Sequence, residues 1–227
     1  MKTRKLSANR VKRITAAAMF CAMAYVCTVF IKIPVSFLTL DVKDSLIILC
    51  SLLFGLATGL CVAVIVPLLE FLTISDTGVY GLIMNVLSSV TFSMVTGLIY
   101  RYKKSMTGAI IGLLSGVFGV TAVMMLANLF ITPYYMGVGM AAVAALIPKL
   151  LLPFNLVKAV LNAAIVLLLY KPLSNVLKKT GLISGASKKA SAEQGNAKPT
   201  MRTVWVTVVA TCIIVISLLV IFLVLRK

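Results

Sequence analysis

Residues 151–170 read LLPFNLVKAVLNAAIVLLLY, an apolar run long enough to cross a bilayer that nonetheless carries Asn155, Lys158 and Asn162. At spacings of i, i+3 and i+7 the three fall on one helical face. A lysine in hydrocarbon is costly and normally faces the bundle interior or a wet cavity, so the stripe marks a candidate binding face. With Lys171 at the far interface, Lys158 stands roughly 20 Å from it, about a third of the way into a ~30 Å hydrocarbon core from the other side. The competing account is a lysine snorkelling to water from near a helix end. Two asparagines on the same stripe favour the site.

The rest of the chain has the same character. Its 227 residues are 61% hydrophobic and 12% charged, an integral membrane composition. The net charge of +17 would suit a nucleic-acid binder, but the basic residues gather at 2–13, 101–104 and 171–202, between apolar runs. None lies between Lys43 and Arg101. Such placement is what membrane topology requires, and no nucleic-acid partner is expected. The five cysteines sit inside apolar runs without ligand spacing and read as small core residues rather than disulfides or metal ligands.

The spans follow in order. A basic leader, 1–13, precedes an apolar run at 14–31, which is too long and too well followed by further spans to be a signal peptide. Residues 32–43 (KIPVSFLTLDVK) form a non-cytoplasmic loop around Pro34. The run 45–72 fits one long helix or two short ones, and charge parity chooses two. If the leader and residues 101–104 are both cytoplasmic, an even number of spans separates them. The turn belongs near Gly55–Gly59, where glycine permits a tight reversal. Residues 79–100 and 107–131 make the fourth and fifth spans, 132–149 an outer loop with Tyr134 and Tyr135 at the interface, and 151–170 the sixth span. A Gly/Ser/Lys-rich linker at 178–202 leads to an apolar run at 203–225, expected as a seventh transmembrane helix within 203–227. The expected architecture is therefore an all-α membrane protein, with a six-helix domain at 14–177 whose two ends are cytoplasmic.

Several residues carry functional expectations. Glu70 is the one carboxylate inside a span, and it calls for a partner such as a lysine or polar ligand unless it lies at the wet interface. Asn85, Ser88, Phe92 and Thr96 share a face of the fourth span, either toward a ligand or in interhelical bonds. Thr121, Met125, Asn128 and Thr132 share one on the fifth. Asn128 and Lys158 thereby approach the same outer side from two helices. Gly108, Gly112 and Gly116 form a GxxxGxxxG series suited to close packing, and Ala18 and Ala22 a small-xxx-small pair suited to helix contact. Asp41 and Asp44 suit either acid–base work or helix capping. A phosphate-binding glycine loop is absent, and so is histidine for hydrolytic or zinc chemistry. Capture and passage of a ligand is the function left.

Three segments carry a resemblance. Residues 37–44 (FLTLDVKD), 127–134 (ANLFITPY) and 153–158 (PFNLVK), in that order, make the chain similar to the riboflavin-specific S components of energy-coupling factor (ECF) vitamin transporters. The likeness covers roughly residues 10–177. It implies a multi-pass subunit of the bacterial plasma membrane, surrounded by lipid, that captures riboflavin outside. Delivery would require a membrane coupling subunit and two ATPases. It is a carrier subunit rather than an enzyme, with no cofactor or metal of its own, riboflavin and conceivably FMN being the ligand. Asn128, Asn155 and Lys158 match the family's polar flavin-binding positions, and Ala18 and Ala22 its contact with the coupling subunit. Leu40, Asp41, Lys43, Glu70, Asn85 and Tyr134 complete the set expected around the ligand, with Leu40 and loop aromatics over the ring system. Lys43 departs from the small polar residues commoner at its position. The competing functions are an S component for another vitamin, a membrane enzyme acting on a lipid-like or isoprenoid substrate, and a structural assembly subunit.

Overall fold

The structure is a computed structural model that describes residues 2–179, 209–212 and 214. Six principal helices are present among these residues: α1 (Lys2–Phe30), α2 (Lys43–Phe54), α3 (Leu56–Thr73), α4 (Gly78–Tyr102), α5 (Met106–Met136) and α7 (Leu152–Lys179). A hairpin of β1 (Ile33–Val35) and β2 (Leu38–Leu40) follows α1, and a short α6 (Met140–Leu146) with a π-helical turn (Ile147–Leu151) leads into α7. Five stretches are long and apolar enough to cross a membrane: Arg10–Phe30, α3, α4, α5 and Met140–Leu177. Helix α2, at 12 residues, is not among them. The linker from residue 180 and all of the expected seventh span except 209–212 and 214 lie outside the described residues. Those five residues are helical, and Ile214 packs against the cluster of Val35, Leu40 and Leu161.

Helix α2 is the axis of the bundle. Ten of its 12 residues are buried, including Lys43, Asp44 and Ser45 at its start. A helix enclosed on all sides needs no polar face, and from Leu46 onward only Ser51 interrupts the apolar sequence. Gly55 ends it with φ +101°, a backbone state that L side chains rarely adopt, and the chain turns directly into α3. The reversal is tight enough that a Cβ on Gly59 would lie 2.4 Å from Cβ of Ser51. The division of 45–72 into two helices at this glycine agrees with the charge-parity expectation.

Two glycines of the α5 series, Gly112 and Gly116, face α4. A Cβ on Gly112 would stand 2.9 Å from the Thr96 carbonyl oxygen, and one on Gly116 would stand 2.4 Å from Thr96 Oγ1 and 2.8 Å from the Phe92 ring. Backbone approach of this kind replaces the hydrophobic driving force that lipid removes. The apolar core is continuous from α1 (Phe20, Ala24) through α2 (Ile47, Ile48) and α3 (Val62, Val66) to Phe92, Leu113 and Val166. Phe20 and Phe54 meet edge-to-face with centroids 5.9 Å apart.

Two segments expected as loops are ordered elements. Residues 32–43 contain the hairpin, in which Ile33 pairs with Leu40 and Val35 with Leu38. Residues 132–149 are mostly helical. Helix α5 continues through Pro133 to Met136 and stops at Gly137, whose left-handed φ of 65° lets its N–H bond the Pro133 carbonyl. Proline removes one backbone donor but does not stop a helix whose neighbours hold it, which is why the expected outer loop fails here.

Candidate functional site

A hollow opens at one end of the bundle, enclosing about 700 Å³ including the part open to the outside. Its wall comes from four places. The hairpin gives Phe37, Leu38 and Thr39; the start of α4 with the residue before it gives Thr77, Tyr80, Gly81, Met84, Asn85 and Ser88. The last turns of α5 give Met124, Asn128, Ile131, Thr132 and Tyr135, and the start of α7 gives Phe154, Asn155 and Lys158. The basic segment 101–104 joins the opposite ends of α4 and α5. There Tyr100 and Tyr170 meet through their hydroxyls at 2.6 Å, tying α4 to α7.

The polar groups in the wall are held by their own helices. Asn128 is fully buried; its amide N–H donates to the Met124 carbonyl at 2.7 Å, and its oxygen accepts from Thr132 Oγ1 at 3.0 Å. Asn155 donates to the Leu151 carbonyl at 2.8 Å. Each amide is thereby fixed in orientation while keeping a second N–H and a spare lone pair. Around them Phe37, Tyr80, Met84, Met124, Tyr135 and Phe154 supply flat and adaptable apolar surface. Tyr80 and Tyr135 meet edge-to-face with centroids 6.3 Å apart, joining α4 to α5.

Lys158 connects the wall to a buried charge cluster. Its Nζ donates to the Thr39 carbonyl at 3.3 Å and to Asp41 Oδ2 at 2.9 Å. Lys43 lies 3.7 Å from the same carboxylate oxygen and pairs directly with Glu70. Glu70 also accepts from Asn85 Nδ2 at 3.3 Å, which carries the network back to the cavity. Asp44 accepts from Ser89, with Ser88 Oγ at 3.5 Å. Asn162 locks the cluster to α7: its amide donates to the Asp41 and Lys158 carbonyls at 3.0 Å each, and its oxygen accepts the Ser45 N–H at 2.8 Å. Burial works to raise the pKa of Asp41, in the loop before α2, but the ammonium groups of Lys158 and Lys43 overcome it and hold the carboxyl below the usual carboxylate range.

Of the residues singled out in the sequence, Asn85, Asn128, Asn155 and Lys158 share the cavity wall. Leu40, Asp41, Lys43 and Glu70 stand behind it, with Leu40 packed near Leu161 and the other three in the charge cluster. Tyr134 is elsewhere: it is 75% exposed and does not line the cavity, whereas its neighbour Tyr135 does. Ala18 and Ala22 are both exposed on the outer face of α1, opposite buried Ala16, Phe20 and Ala24. Among wall residues not singled out, Tyr80 and Met84 precede Ser88 on α4 at steps of four, and Met124 precedes Asn128 and Thr132 on α5 at the same step. That spacing was the available signal. No cluster of metal-ligating side chains occurs among the described residues.

Comparison with known proteins gives the family. The family model of the ECF transporter substrate-specific component matches residues 12–170. The riboflavin transporter RibU of Staphylococcus aureus (strain TCH60) is 33% identical over 186 residues, spanning 78% of this chain and 97% of that protein. A solved structure of the S component of a bacterial ECF transporter superposes with a TM-score of 0.64 at 32% identity, covering 74% of this chain and 99% of the other. The chain is a multi-pass membrane protein that belongs to the substrate-specific components of ECF transporters, carrier subunits rather than enzymes.

Proposed function

We propose that this chain binds riboflavin in the hollow between the hairpin, α4, α5 and α7, and presents it to a coupling subunit and ATPases for uptake. The observation that carries the reading is the meeting of Asn128, Asn155 and Lys158 in one wall among aromatic and methionine side chains. A flavin offers a flat ring with carbonyls and an N–H on its pyrimidine edge, and fixed amides plus one ammonium complement that edge. The similarity to a riboflavin transporter over 97% of that protein's length supports the same ligand. The cavity lies at the end of the bundle away from the basic segment 101–104, so the positive-inside rule puts it on the outer side, with both bundle ends cytoplasmic.

In the same reading the membrane domain is 14–177, and 178–227 add a linker and a seventh membrane helix. The exposed Ala18 and Ala22 are where α1 meets the coupling subunit, since small residues let another helix come close. The test is a titration of the purified protein with riboflavin, read by quenching of flavin fluorescence. Saturable one-site binding is expected, and a protein that neither co-purifies with flavin nor quenches it would overturn the assignment.

A further inference from the structure

We infer that Asp41 sets which flavins the cavity accepts: by cancelling the charge of Lys158 it favours an uncharged ligand over one bearing a phosphate. The inference rests on the flavin-binding reading above and extends it from ligand class to ligand charge.

Lys158 is the one charged residue in the cavity wall among the described residues. Its ammonium is already committed, 2.9 Å from an Asp41 carboxylate that is itself 1% exposed. The groups behind it keep that balance. Lys43 is shared between Asp41 and Glu70, and Asp44 sits behind Ser88 and Ser89. Lys43 and Lys158 are thus matched by Asp41 and Glu70, which leaves no cationic charge to spare beneath the floor. Lys32, just before the hairpin, is paired with Asp76 at 3.1 Å and bonds the Ile74 carbonyl, so it is no free counter-ion either. The remaining polar groups of the wall are neutral amides, hydroxyls and a carbonyl.

Riboflavin is uncharged at neutral pH, and such a wall can satisfy it. Its 5′-phosphate, FMN, carries about −1.5 to −2 charges there. Bringing that group into the hollow removes its water without supplying an uncommitted opposite charge. Asp41 touches no ligand in this scheme. It acts through Lys158, as a positioning and charge-balancing residue.

The experiment titrates the full-length protein in detergent with riboflavin and FMN in parallel, for the wild type and two variants. The wild type should prefer riboflavin by about tenfold or more. Asp41→Asn is nearly isosteric, leaves the Lys158 bond to the Thr39 carbonyl in place and frees its charge. The FMN-to-riboflavin affinity ratio should rise about tenfold, and FMN binding should become salt-sensitive. Lys158→Met strands the carboxylate and should move the ratio the opposite way, so it carries the test alone if Asp41→Asn does not fold. A wild type that binds both ligands equally, or variants whose ratios stay within about twofold of it, overturn the inference and leave riboflavin binding standing. A wild type that binds neither flavin overturns the functional reading, and this inference with it.

Discussion

Lys158 on α7 reaches across 117 residues of sequence to pair with Asp41 in the loop before α2, at 2.9 Å. The pair closes a chain of buried contacts that runs from the cavity wall through Asp41 and Lys43 to Glu70, and back to the wall at Asn85. One lysine thus belongs both to the site and to the framework that holds it. Binding and stability are expected to separate along this chain according to which residues face the hollow.

Asn128 faces it. Asn128→Ala removes an amide whose bonds in the free protein are local to α5, so the fold should survive. Riboflavin affinity should fall by about 1–3 kcal/mol, the usual cost of stranding a buried polar partner. Fluorescence titration measures this, and an unchanged affinity would remove Asn128 from the site.

Glu70 does not face it. Glu70→Leu leaves the Lys43 ammonium, 1% exposed, without its principal partner. Breaking a buried pair in this way costs about 3–5 kcal/mol, seen as a lower melting temperature in detergent. The double variant Lys43→Met, Glu70→Leu should recover much of the loss because no charge is stranded. If the double variant melts lower than Glu70→Leu alone, the pair has a role beyond charge compensation.

Neighbouring tyrosines should behave differently. Tyr135→Ala removes part of the wall and the edge contact with Tyr80, and should weaken riboflavin binding several-fold. Tyr134→Ala, at a position 75% exposed and off the wall, should bind as the wild type does. Equal effects from the two would mean that the end of α5 is turned differently from the structure described here.

The α4–α5 seam gives a packing test. Gly116→Val places atoms where Thr96 Oγ1 and the Phe92 ring already stand, and overpacking should cost about 1–3 kcal/mol in thermal stability. Gly119→Ala, whose added Cβ would meet only Val95 side-chain carbons at 3.4 Å or more, serves as the tolerated control.

Ala18→Leu and Ala22→Leu alter a surface, not the core. Riboflavin binding by the isolated subunit should be unchanged, while co-purification with the coupling subunit should drop. The reverse pattern, lost binding with intact assembly, is the outcome that contradicts the assignment of α1.

Much of the fold was legible because membranes simplify the code. Apolar runs bounded by basic residues fixed the spans, charge parity divided 45–72 into two helices, and Gly55 marked the division that the structure places there. The hairpin was missed for want of length: two three-residue strands leave too little alternation to read. Helix α5 runs beyond the 107–131 span, because Pro133 does not stop it and Gly137, with its left-handed φ, does.

The sequence by itself determined a membrane bundle, its breaks, and the polar stripe Asn155–Lys158–Asn162, because helical periodicity and the cost of charge in hydrocarbon are local properties. Only the tertiary structure decided how that stripe is divided. Asn155 and Lys158 line the cavity, while Asn162 bonds the Ser45 N–H at the start of α2. It also decided that Lys43 answers Glu70, Lys158 answers Asp41, and Tyr135 rather than Tyr134 faces the hollow. Pairings of this kind depend on which helices lie side by side and how each is rotated, and a single chain's spacing carries no record of either.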